Sequence, residues 1–126
     1  MHLLHIVALL AVLQYFFFGI LVGRARTTYG VKAPAMSGHE MFERASRVQM
    51  NTLEQLAAFL PTMFVAAQYG SPALVAGLGV VYLVGRFVYW RSYMANPARR
   101  SLGFLLTVLP TFAFIALGLI GAVRQA

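Results

Sequence analysis

Arg44, Arg47, Asn51 and Glu54 follow one another at spacings of three, four and three. On a helix those spacings stack the four side chains along one face. Guanidinium groups pair with carboxylates, a carboxylate pairs with an ammonium, and an amide both donates and accepts. The set therefore suits a small polar anion that also carries an amine. Gln55 extends the stripe, which runs straight into the apolar segment from Leu56 to Ala67. Charged and amide groups entering lipid on one stripe are costly, need partners and by default mark a site. A second stripe, Tyr82, Arg86, Tyr89 and Tyr93, has spacings of four, three and four. Counting along each helix at about 1.5 Å per residue puts Glu54 and Arg86 at similar depth. They are the only acid and the only base at that level, which predicts that they pair, directly or through a bound ligand. The plainer reading of the same two residues is a structural ion pair that holds a bundle together.

Four apolar segments must position these groups. They run from about Leu3 to Gly23, Leu53 to Tyr69, Ala73 to Met94 and Leu102 to Val123. A helix needs roughly 20 residues to cross a bilayer. Three segments reach that length unaided, and the second gains it from an amphipathic lead-in beginning near Gly38. The expected helices are 3–25, 38–69, 72–95 and 97–124, in one domain over 1–126. Ser37 and Glu40 fit a capping box for the second helix. Ser71-Pro72 and Asn96-Pro97 fit caps for the third and fourth. Pro61 and Pro110 fall inside helices, where they are expected to introduce kinks. Gly19 and Gly23 form a weak small-residue packing motif. The first segment lacks a basic leading region, and Arg24 and Arg26 follow it where a small-residue cleavage site would stand, so it reads as a span, not a signal peptide.

Composition agrees with a membrane protein. The chain of 126 residues is 60% hydrophobic and 10% charged, against about 25% charged in soluble domains. Ten basic residues against three acids give a net charge of +7. The basic residues lie between apolar segments, as flanking charges do in membrane proteins, so nucleic acid is not the implied partner. The first loop and its flanks carry Arg24, Arg26, Lys32, Arg44 and Arg47, and the third carries Arg91, Arg99 and Arg100. The second loop is uncharged. The positive-inside rule places both long loops in the cytoplasm and both termini on the other side. In a bacterium that means the inner membrane. There is no cysteine, so a disulfide framework, a thiolate metal site and a protein thiol nucleophile are excluded. His2, His5 and His39 are scattered with no ligand spacing, and no metal site is expected.

Phe42-Glu43-Arg44-x-x-Arg47-x-Gln49-x-Asn51-x-x-Glu54 resembles the second-helix motif of the MAPEG family, the membrane-associated proteins in eicosanoid and glutathione metabolism. Tyr82-Leu83-Val84-Gly85-Arg86 with Tyr89 and Tyr93 resembles that family's third helix, and Arg100-Ser101 the start of its fourth. The resemblance spans nearly the whole chain. It implies an all-α integral membrane fold, a four-helix bundle assembled as a homotrimer, with glutathione held between neighbouring subunits near the cytosolic face. By the same resemblance Arg47, Asn51 and Glu54 match glutathione-holding positions, Gln49 a leukotriene synthase position, and Tyr89 and Tyr93 third-helix ligand positions. Arg100 matches the arginine that stabilises the glutathione thiolate, and Ser101 a neighbouring hydroxyl. Arg24 or Arg26 matches a first-helix arginine, and Arg86 a partner of the buried glutamate.

Three positions depart from the eicosanoid branches. Met50 replaces an arginine and Tyr89 a histidine of the prostaglandin synthase branch, and Gln55 replaces a tyrosine of leukotriene synthase. The chain is closer to the short bacterial members that resemble microsomal glutathione transferase. The implied activity is conjugation of glutathione, as co-substrate, to lipophilic electrophiles drawn from membrane lipid. Arg100, with Ser101 or Tyr93, would activate the thiol, and a peroxidase activity on lipid hydroperoxides would use the same thiolate. The alternative is a non-enzymatic lipid-binding or scaffold member of the same fold, which the presence of Arg47 and Glu54 disfavours. A small transport or structural bundle would not explain polar groups gathered at one side.

Overall fold

The computed structural model describes residues 2–126 as four helices. They are α1 (His2–Tyr29), α2 (Glu40–Tyr69), α3 (Pro72–Ala95) and α4 (Ser101–Gln125), with a 3-10 turn, Pro97–Arg99, before α4. The regions His2–Tyr29, Pro72–Ala95 and Pro97–Gln125 are long and apolar enough to cross a membrane. Thirty-residue α2 spends its first half on the charged stripe, which is why its composition alone does not mark it as a span.

Local chemistry sets the helix ends. Gly30 adopts φ +69, the left-handed conformation that closes a helix, and Val31 N–H reaches back to the Arg26 carbonyl at 3.0 Å. This is the Schellman stop. It carries α1 to Tyr29, so Arg24 and Arg26 ride on its last turns and do not trail behind it. The expected Ser37/Glu40 capping box does not form. His39 caps α2 instead, its Nδ1 accepting from Met41 N–H at 3.1 Å. Glu43 accepts from Gly38 N–H at 3.2 Å, so the reciprocal acid lies one turn later than expected. Ser71 caps α3 as its sequence suggests. Asn96 caps the 3-10 turn through Ala98 N–H, which delays α4 to Ser101.

Each helix buries one narrow stripe. On α1 it is Leu4, Val7, Ala11, Gln14, Phe18 and Val22, spaced by three or four as a helical face requires. The remaining apolar residues, such as Leu9, Leu13 and Phe16, face outward. Helices that are hydrophobic all round in this way suit a lipid environment. The main core joins Val7, Phe59, Met63, Val75, Tyr82 and Phe114, with the Phe59 and Tyr82 rings stacked at 3.8 Å. Contacts between α1 and α3 advance together along both helices, from Val7 at Gly79 through Gln14, which donates to the Leu83 carbonyl, to Phe17 at Trp90, so these helices run in the same direction, with α2 and α4 opposed to them. Both longer connections therefore lie at one end of the bundle.

The tightest seam is between α3 and α4. A Cβ on Gly103 would collide with the Tyr89 backbone, and one on Gly85 with Leu106 and Thr107. These two glycines let the helix backbones meet where the polar residues lie. Replacing Gly103 by alanine should therefore lower the thermal midpoint of the detergent-solubilised protein, with an overpacking cost of about 1–3 kcal/mol. The same change at Gly77, where a Cβ meets nothing within 4 Å, should leave it unchanged or raise it.

Candidate functional site

Arg86 is fully buried among α2, α3 and α4. One terminal guanidinium nitrogen donates to Thr52 Oγ1 at 2.7 Å and the other to Thr107 Oγ1 at 3.4 Å, while Nε has no partner among the described residues. Its carbon lies 4.5 Å from the centre of the Tyr89 ring. Each threonine hydroxyl spends its proton on the carbonyl four residues back, Val48 for Thr52 and Gly103 for Thr107. Its lone pairs are thereby turned toward the arginine. Nothing in the linear pattern singled out these two threonines; only the meeting of three helices does.

The expected direct pairing of Glu54 with Arg86 is not formed. Glu54 instead lies 3.6 Å from Arg47, and both side chains are about half exposed. Two turns of one helix separate them, so the pair runs along the outer face of α2 while Arg86 points into the bundle. Depth alone suggested the pairing, and depth does not fix which way a side chain faces.

The rest of the first stripe also divides. Arg44 binds Glu40 and donates to the Met94 and Ala95 carbonyls at 2.9 and 3.3 Å. It thus caps the C-terminus of α3, a favourable place for a cation. Asn51 is buried, and its Oδ1 has no hydrogen-bond partner among the described residues. Gln49 packs against α1, where Gly19 leaves room for its amide. That contact within one chain explains Gly19; a Cβ on Gly23 would touch nothing.

Around Tyr89 the polar groups converge. Tyr93 stacks on it with ring centres 5.5 Å apart, and Arg47 and Arg100 lie within electrostatic reach of its hydroxyl. Arg100 is exposed and donates only to the Pro97 carbonyl beneath it. Ser101 is exposed as the first residue of α4. Arg26 is held over the Phe42 ring at 4.7 Å and donates to the Ala35 carbonyl at 2.7 Å. Arg24 instead lines a cavity with Trp90 and Arg91 on the α1–α3 side. The structure thus separates two arginines that the sequence left interchangeable. Gln14, the one amide deep in the first segment, is a visible signal that the helix-face patterns passed over; it ties α1 to α3.

These features define a helical integral membrane protein with a polar, strongly cationic cluster at one end. Residues 4–120 match the family model described as MAPEG family, and the chain belongs to that family. It is 42% identical over 120 residues to an uncharacterized protein of Synechocystis sp., covering 95% of this chain and 88% of that one. Over 119 residues it is 34% identical to microsomal glutathione S-transferase 2 of Homo sapiens, covering 94% of this chain and 81% of that one. Against leukotriene C4 synthase of Cavia porcellus the identity is 34% over 119 residues, covering 94% and 79%.

Removing the shorter hydrogen bond to Arg86 should be the more damaging change. Thr52→Val keeps the shape but leaves a buried cationic donor without its acceptor, at about 1–3 kcal/mol. Thr107→Val, at the longer contact, should cost less. Thermal unfolding of the solubilised protein measures the order.

Proposed function

We infer that this protein is a membrane-bound glutathione transferase that joins glutathione to lipophilic electrophiles. One observation carries the reading. The Tyr89–Tyr93 stack lies toward the same loop end of the bundle as Arg47 and Arg100, in a family whose similar members include a microsomal glutathione S-transferase. The residues suit the tripeptide. Glutathione carries two carboxylates, an ammonium and amides. Arg47 and Arg26 offer guanidinium groups to the carboxylates, Glu54 a carboxylate to the ammonium, and the orphaned Asn51 Oδ1 an acceptor for an amide N–H. Gln49 supports this surface from the α1 side. Arg26, held against Phe42 of α2, is better placed than Arg24 for this set. The half-exposed Arg47–Glu54 pair can open toward a ligand without leaving a charge buried.

The chemistry follows from the missing cysteine. The protein has no thiol, so the nucleophile is that of glutathione. A free thiol has a pKa near 8.5 and is mostly protonated at neutral pH. A guanidinium within hydrogen-bond reach favours the thiolate, and exposed Arg100 takes that role, with Ser101 and Tyr93 as further donors. The thiol proton passes to water. The sulfur lone pair then forms the carbon–sulfur bond, while the displaced electron pair leaves with the departing group or moves onto the oxygen of an opened epoxide. Holding the thiol at the interface beside an electrophile concentrated in lipid supplies proximity. Reduction of a lipid hydroperoxide would consume two glutathiones, yielding the disulfide, an alcohol and water.

The same reading takes the molecule as a homotrimer with its sites between subunits. Both termini lie on the non-cytoplasmic side, because the basic loops stay inside.

Isothermal titration of the solubilised protein should show glutathione binding; none at millimolar ligand overturns the proposal. Glu54→Ala should weaken binding by about 10- to 100-fold, the worth of a hydrogen bond to a charged group, while Glu40→Ala changes it little. Equal effects would remove Glu54 from the ligand set. Stopped-flow ultraviolet absorbance should show thiolate forming in the wild type and not in Arg100→Ala. A normal thiolate signal in that variant would assign the activation elsewhere.

A further inference from the structure

We propose that the seam between α1 and α3 is a binding site for one anionic phospholipid, with its phosphate between Arg24 and Arg91 and an acyl chain along the groove below. The proposal is independent of the glutathione reading. Near the loop end of the bundle, a cavity of about 470 Å³ is lined by Leu21, Arg24, Trp90 and Arg91 of α1 and α3, with Met41 and Ala45 of α2 also in its wall. Further along the same seam lies an almost wholly apolar groove of about 490 Å³, lined by Leu10, Leu13, Phe17, Ile20, Leu83 and Phe87. Phe17 stacks edge-on against both Phe87 and Trp90, at 6.3 and 5.7 Å, and this aromatic wall joins the two spaces.

Charge selects the head group. All three acids of the chain are engaged elsewhere: Glu40 with Arg44, Glu54 with Arg47, and Glu43 with Gly38 N–H. None lines either space. A choline or ethanolamine head would bring a cation to a site holding two arginines and no carboxylate. A net-negative head brings only the phosphate charge the arginines can bind. Arg24 and Arg91 make no ion pair among the described residues, and Arg91 lies 5.6 Å from the centre of the Trp90 ring.

Length selects a lipid over a free anion. From Ile20 to Leu10 the groove follows ten residues of α1, about 15 Å of helix. That is half the roughly 30 Å hydrocarbon thickness of a bilayer, the depth of one leaflet. The cationic cavity then sits where the head groups of that leaflet begin, and Trp90 sits at the interface level that tryptophan favours.

Trp90 is the sole tryptophan, so its fluorescence reports the site without a label. The full chain is reconstituted in vesicles of equal parts phosphatidylcholine and phosphatidylglycerol, with brominated acyl chains on one lipid or the other. Stronger quenching by brominated phosphatidylglycerol is expected. Its advantage should fall about fivefold for each arginine removed, the worth of one basic residue at an anionic surface, and vanish in Arg24→Gln/Arg91→Gln. Arg99→Gln, which removes an exposed charge outside the seam, should retain it. Equal quenching by the two lipids in the wild type would overturn the proposal, whatever the variants do. So would a preference that survives the double variant, or one lost equally in Arg99→Gln, which would mean diffuse attraction. Loss of the preference on adding inorganic phosphate would assign the cavity to a free anion instead.

Discussion

A guanidinium buried at membrane depth with no carboxylate beside it constrains everything around it. Taking such an ion out of water costs several kcal/mol even after relaxation. Arg86 offsets that cost with two hydroxyl acceptors and the face of an aromatic ring. Those partners come from α2, α3 and α4, so the three helices must keep a fixed register for the charge to be tolerated. The glycines at 85 and 103 answer the same demand, because they let α3 and α4 approach at the level of the arginine. With both terminal nitrogens of Arg86 bonded from inside, Glu54 faces outward with Arg47.

This arrangement separates two polar systems that share a helix. Thr52 turns to the bundle side of α2, where it meets Arg86, while Arg47 and Glu54 are exposed on another face and buried Asn51 lies beside them on the helix. Tyr89 stands between the systems. One side of its environment is the Arg86 cation, the other the Tyr93 ring and the surface arginines. A low-dielectric setting strengthens every such interaction.

Arg24 and Arg26 show how far a two-residue offset matters on a helix. About 200° of rotation separates them at 3.6 residues per turn, which sends one to the α1–α3 seam and the other to the loop and Phe42. The Schellman stop at Gly30 makes this possible by extending α1 past both of them. Had the helix ended at the last apolar residue, both arginines would sit on a loop with no defined face.

Much of the molecule was legible in its sequence, because membranes read sequences simply. Apolar runs of the right length, separated by caps and basic loops, specify helices whatever their neighbours do, since every backbone group must be satisfied within its own segment. The second-helix motif likewise carried the family. What one dimension could not show was partnership. Arg44 looked like a ligand group and is a cap for another helix; Glu54 looked like the counter-ion of Arg86 and faces elsewhere. Thr52 and Thr107 looked like ordinary helix residues and hold the buried charge. The sequence by itself determined which segments are helices, which are apolar and how many there are, because those depend on local backbone chemistry and hydration. Which polar group meets which was decided only by the tertiary structure. That depends on helix rotation and register, which are set by packing across chain segments dozens of residues apart.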